Sequence, residues 1–237
     1  MSQDSPPQVR WTNRDGTPGP MIDPSTRVDP SAYLHQNVSI GREVVIGPDV
    51  IIRTGASIGD GVSIGASSII GESARIDDQV SMGPNAYIKD YAQLSHGAVL
   101  GRCVTIGASS LVQFGAMLWH NAYVDNHANI GEYTIIGKSV YIGENCSVGP
   151  HVSIGNGTHL GDGVTVQMEA VVGKYVVVMN GSAIQQAAKV GNFSQIPHHT
   201  NIPASVEVPS RTQFADFQSQ DGLRRMIMPA ALGSEIH

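Results

Sequence analysis

Aliphatic residues recur at every sixth position from Ile22 to Val190, beginning Ile22, Val28, Leu34, Ile40 and Ile46. Four residues after each stands a second small or β-branched residue: Thr26, Ala32, Val38, Val44, Val50, and so on to Ser182, Ala188 and Ser194. Glycine follows the aliphatic residue in most repeats, as in IGREVV (Ile40 to Val45), IGPDVI, IGDGVS and IGENCS. The register does not slip between Ile22 and Gln195, a span of 29 hexapeptides with no inserted residue. Two inward positions per six, β-branched side chains and a glycine where the backbone must turn predict a short strand and a tight turn, repeated without pause. The glycine load excludes a helix.

Short strands that coil on at constant pitch bury their apolar side only against their neighbours, which makes a solenoid. Three hexapeptides per circuit give a triangular prism, with residues 18 apart stacked at about 4.8 Å, some nine to ten coils and a length of about 45 Å. The expected class is therefore all-β.

Composition fits one repetitive body. Aromatic residues are only 5% of the chain and there are 27 glycines, so stacked Ile, Val, Leu and Ala form the interior in place of large rings. The net charge of −6, with no Lys/Arg block, gives no electrostatic reason to expect nucleic acid or an anionic membrane surface. No apolar run is long enough for a membrane span or a signal peptide. Cys103 and Cys146 occupy different phases of the repeat, which argues against a disulfide and for a reducing, cytoplasmic setting. Three segments are expected: a flexible leader over 1–21 in which Trp11 alone is suited to docking, the β-helix over 22–195, and a capping tail over 196–237, irregular or partly helical around Phe214, Phe217, Leu223 and Met226.

Departures from glycine at the second repeat position cluster at Lys89, Ser95, Gln113, Trp119 and Asp125, and the same region gathers Tyr87, Tyr91, His96, Phe114, His120, Tyr123 and His127. Polar and aromatic groups on a stiff frame point to a binding or catalytic site, or to an interface between copies. His96 is the leading catalytic candidate. Asp78 lies 18 residues earlier, one coil below on the same corner, where a carboxylate would orient an imidazole acting as general base. Phe114 and Met168 share that corner and would line a groove for an acyl chain or a pantetheine arm, whereas Arg102, His120 and Lys138 form a second column suited to phosphates.

The hexapeptide phrase over Ile22 to Gln195 resembles the hexapeptide-repeat superfamily, which implies a left-handed parallel β-helix and a homotrimer. The general rule for parallel crossovers would have favoured the other hand. MIDPSTRVDPSAYLHQNVSIG (Met21 to Gly41) resembles the opening of the UDP-N-acetylglucosamine O-acyltransferases, and LSHGAVLGRCVTIG (Leu94 to Gly107) is similar to the segment carrying their catalytic histidine, at the position of His96. That resemblance implies transfer of an acetyl or acyl group from coenzyme A or acyl carrier protein, as co-substrate, to a hydroxyl or amine of a sugar or nucleotide-sugar. Those enzymes carry protruding loops and a terminal helical bundle, whereas this coil has no insertion.

HGAVL also occurs in γ-class carbonic anhydrases, but aligning their ligands on His96 puts Gly101 and Asp60 where two further zinc-binding histidines belong. A site shared between chains and built from His96, His120 and His127 is the remaining geometry for that reading. The third reading, a non-catalytic trimeric scaffold, draws on the unbroken register, which leaves few loops from which to build a pocket.

Overall fold

The computed structural model describes residues 7–213, and among these there are 33 strands and no helix. From β3 (Arg27–Val28) to β33 (Glu207–Val208) every strand has two residues, the first facing outward and the second inward. Each strand pairs in parallel with the strand three further on, at an offset of 18 residues, as in Tyr87↔Thr105 and Gln93↔Leu111. The result is a three-sided parallel β-solenoid of about ten coils with sheets of 11, 10 and 10 strands. Both inward positions of each hexapeptide are buried from Leu34 to Ile196, and in the last described coil Thr200 and Val206 are half-buried. As far as Ser194, where the second of them is Ser or Thr, the hydroxyl donates to a carbonyl 15 residues on: Ser110 to Asp125 at 2.7 Å and Thr134 to Gly149 at 2.8 Å. Cys146 follows the same rule, its Sγ 3.0 Å from the Gly161 oxygen, and burial pushes its thiol up to about 11. Cys103 is exposed, and both cysteines are free.

The three faces differ in character. The 11-stranded face, which includes β15 (Val99–Leu100), points Val45, Val99, Met117, Ile135 and Val171 outward with serines between them. The face containing β13 (Tyr87–Ile88) carries Tyr87, Tyr123, Tyr141 and His159, and the face containing β14 (Gln93–Leu94) is mostly polar. They are called the apolar, aromatic and polar faces below.

Glycine at the second position has a different cause from the one expected. Positive φ occurs at the fourth position, at residues such as Asp49, Asn85, Tyr91 and Asn121. The second position instead lies directly beneath the next coil, and a Cβ on Gly65 would sit 2.5 Å from the carbonyl carbon of Gly83. Beneath an Asp or Asn the space is taken by that side chain, whose Oδ1 accepts the N–H of the third residue of the coil below: Glu72 to Asp90, Ala108 to Asn126, Lys138 to Asn156 and Glu144 to Asp162, at 2.8 to 3.0 Å. Glycine therefore makes room for the coil above, and beneath an Asp or Asn it is where one coil clasps the next.

Both ends differ from expectation. The leader is not loose over its described part: β1 (Val9–Thr12) and β2 (Pro18–Ile22) form an antiparallel hairpin. Asn13, 3% exposed, accepts the Leu34 N–H at 2.9 Å and donates to the Leu34 oxygen at 3.0 Å, so it closes the edge of the first strand on the aromatic face. Trp11 packs against the core and donates to Asn13 Oδ1 at 3.0 Å. At the other end the coil runs past 195 through β31 (Gln195–Ile196), β32 (Asn201–Ile202) and β33. Pro197, Pro203 and Pro209 take the second position there. In earlier coils that N–H donates to the coil above, as Gly173 does to Val190, and in this last described coil proline removes the donor. The helix expected around Phe214 to Met226 lies outside the described residues.

Candidate active site on the solenoid corners

The 18-residue stacking brings some of the sequence candidates together and separates others. His96 and Phe114 occupy one corner, between the polar and apolar faces, with rings stacked at 5.5 Å and 6°. Phe114 meets Tyr133 edge-on at 5.1 Å, and Tyr133 stacks on His151 at 5.4 Å. The sequence reading missed Tyr133 and His151, which occupy the neighbouring column at the same corner. Met168 lies four coils above His96, about 19 Å by strand spacing, so the two do not line one groove within a single chain. Arg102, His120 and Lys138 form a column on the apolar-to-aromatic corner, and His127 stands apart on the third corner.

Asp78 lies one coil below His96, as the period requires, and the Gly97 N–H donates to its backbone oxygen at 3.1 Å. No hydrogen bond or ion pair joins the two side chains. The Asp78 carboxylate instead accepts the Asp60 N–H at 2.8 Å above the open space of Gly59, so it clasps the coil beneath. The orienting contact expected between Asp78 and His96 is therefore replaced by support through the backbone.

His120 shows what the clasp does to an imidazole. Its Nδ1 accepts the Arg102 N–H at 3.2 Å above Gly101, which holds the ring in the Nε2–H tautomer. Below His96 the corresponding position is Asp77, whose side chain leaves no room for this arrangement, and the His96 ring projects outward, exposed. Ser95 and Gln113 repeat the exception, so His96, Phe114 and Glu132 are released from the clasp on three successive coils. Asp77, Ser95 and Gln113, where glycine is missing, thus mark freed side chains.

On the aromatic face, Tyr123 and Tyr141 stack at 5.3 Å, Tyr141 and His159 at 4.6 Å, and Tyr141 donates its hydroxyl to Asp125 Oδ2 at 3.1 Å. Burial, then the bond to Asp125, push the Tyr141 phenol up to about 12. Because the folded value lies above the ordinary 10, the stabilising contribution of the neutral phenol is complete below pH 10 and is lost between about pH 10 and 12. Absorbance titration at 295 nm should find the Tyr141 phenol, assigned by its loss in Tyr141→Phe, still largely un-ionised at pH 11, with its midpoint lowered in Asp125→Asn.

Among the described residues no three His, Cys, Asp or Glu side chains gather as a metal site within one chain, and no helix is long and apolar enough to cross a membrane. Crevices of about 280 and 500 Å³ lie where the hairpin meets the first coils, away from His96.

Residues 82–188 and 118–216 match the family model described as the GMPPB C-terminal domain, and residues 37–72 match that of the bacterial transferase hexapeptide (six repeats). The chain belongs to the hexapeptide-repeat superfamily. Among solved structures, this hexapeptide-repeat chain is similar to the UDP-N-acetylglucosamine acyltransferase of Arabidopsis, at 19% identity and a TM-score of 0.59 over 84% of this chain and 76% of that one. The enzyme from Francisella novicida gives 20% identity and a TM-score of 0.50 over 86% and 74%. At such identities the likeness shows the shared solenoid. The comparison with curated proteins gives no match.

Proposed function

We propose that this hexapeptide-repeat protein is an acyltransferase that moves an acetyl or longer acyl group from coenzyme A or acyl carrier protein to a hydroxyl or amine of a sugar or nucleotide-sugar. The observation that carries the reading is the release of His96 from the clasp that immobilises His120. An exposed imidazole with both ring nitrogens open to ligands can take a proton from an attacking hydroxyl or amine. The amine or hydroxyl attacks the thioester carbonyl, the carbon–sulfur bond breaks, and the thiolate leaves with the proton that His96 removed. Phe114, stacked on the ring, fixes its plane, and Asp78 positions the turn beneath it. In the column of Arg102, His120 and Lys138, the two long side chains supply positive charge and His120 its Nε2–H for phosphates of the donor or acceptor, with His127 and Met168 as further contacts from separate parts of the surface.

The working form in this proposal is a homotrimer in which a neighbouring copy completes the groove beside His96. Its support is the apolar face, where the outward residues from Val45 to Val171 include no charge. Light scattering should give three times the 25.0 kDa chain. Release of free thiol from acyl-CoA should depend on the added sugar acceptor. A monomer, or thiol release indifferent to every acceptor, would count against the reading.

A further inference from the structure

The aromatic face carries a second site for which the acyl-transfer reading has no role. Its outward column reads Tyr87, Thr105, Tyr123, Tyr141, His159 in successive coils, in exact 18-residue register. Where consecutive rungs are rings, this face stacks them nearly parallel, 5° apart for Tyr123 and Tyr141 and 9° for Tyr141 and His159. At Thr105 one ring is missing. Tyr87 and Tyr123 are two coils apart, about 9.6 Å by strand spacing, so the gap above the short Thr105 side chain has the thickness of one planar ring with an aromatic wall on each side.

A cation already reaches into that gap. Lys89 Nζ lies 5.6 Å from the Tyr123 ring centroid and 3.4 Å from its hydroxyl. Among the described residues Lys89 has no carboxylate partner, and Gly107 above it in the same column offers no side chain to block movement. Arg53 stands two coils below, across the bare Gly71, in a long 3.9 Å contact with Asp90. A flat slot with one cation at its edge and a second farther down the same glycine-lined column matches a molecule with a planar heterocycle at one end and phosphates at the other.

We infer that the slot at Thr105 binds a purine or pyrimidine nucleotide, the base between Tyr87 and Tyr123 and a diphosphate along Lys89 and Arg53. Lys89 leaves the Tyr123 face as the base enters, exchanging a cation–π contact for a charge-assisted hydrogen bond. The inference stands on this face alone. His96 lies on the opposite corner of the same chain, so nucleotide binding and turnover can be read separately.

Titration calorimetry of the assembled protein with ADP and UDP tests it. Saturable binding of at least one is expected, weakened roughly tenfold or more by Thr105→Phe, which supplies the missing ring, and by Tyr123→Leu, which removes a wall. Lys89→Met should weaken ADP or UDP binding while leaving the corresponding nucleoside unchanged, and His96→Ala should leave nucleotide binding intact. No saturable binding of either nucleotide up to about 5 mM would overturn the inference, as would unchanged affinity in folded Thr105→Phe and Tyr123→Leu proteins.

Discussion

Gly107→Ala is expected to destabilise the protein by at least about 3 kcal/mol in chemical denaturation, more than an ordinary glycine substitution. The added methyl would fall within the peptide unit joining Asp125 and Asn126 in the coil above. Backbone cannot rotate aside as a long side chain can, so the coils must separate locally. That separation also strains the bond from the Ala108 N–H to Asn126 Oδ1, now 2.8 Å. Because a solenoid's stability is a sum over contacts between neighbouring repeats, damage in the middle splits the stack into two shorter bodies. Gly163→Asn provides the contrast. Gly163 has φ +65° and open space where its Cβ would go, and Asn85, Asn121 and Asn145 adopt the same conformation at the same repeat position. Its cost should stay below about 1 kcal/mol.

His96→Ala is expected to lower turnover by at least about a hundredfold with little change in stability, since a positioned general base contributes roughly 10² to 10⁴. The side chain is exposed and its one ring contact among the described residues is Phe114, so the fold loses little when it is removed. Asp78 separates two roles that are otherwise alike. If Asp78 acts by clasping the coil below, Asp78→Asn keeps turnover within about threefold, because Asn126 and Asn156 make the same bond elsewhere, and Asp78→Ala costs about 1 kcal/mol of stability. A charged partner of His96 would instead be disabled equally by both changes. Initial rates and denaturation midpoints of the three variants decide between these outcomes.

The period made the fold legible because it is enforced at every coil. Two buried positions in six and an 18-residue circuit follow from apolar spacing alone, and Leu34 to Val190 occupy the core as that spacing requires. The site was less legible because side-chain direction depends on residues a full coil away. Asp78 and His96 are neighbours by count, yet whether a side chain reaches down or out is decided by glycine or its absence 19 residues earlier: Gly59 for Asp78, Gly101 for His120, Asp77 for His96. Read with that offset, the sequence distinguishes a clasped histidine from a free one. The prolines at 197, 203 and 209 carried a similar signal. Their six-residue spacing continued the repeat, but the loss of glycine at the second position concealed it. The hairpin could not be read from periodicity at all, since Asn13 acts through two bonds to Leu34, 21 residues away.

The most direct test of the proposed chemistry is the location of the donor thiol. A structure of the assembled protein with a non-hydrolysable thioether analogue of acyl-CoA should place the sulfur and the acyl carbon beside the His96 imidazole, at about 3 to 4 Å from the attacking position it serves. Donor density on a different corner, or a neighbouring chain that closes the His96 corner to the donor, would contradict the account.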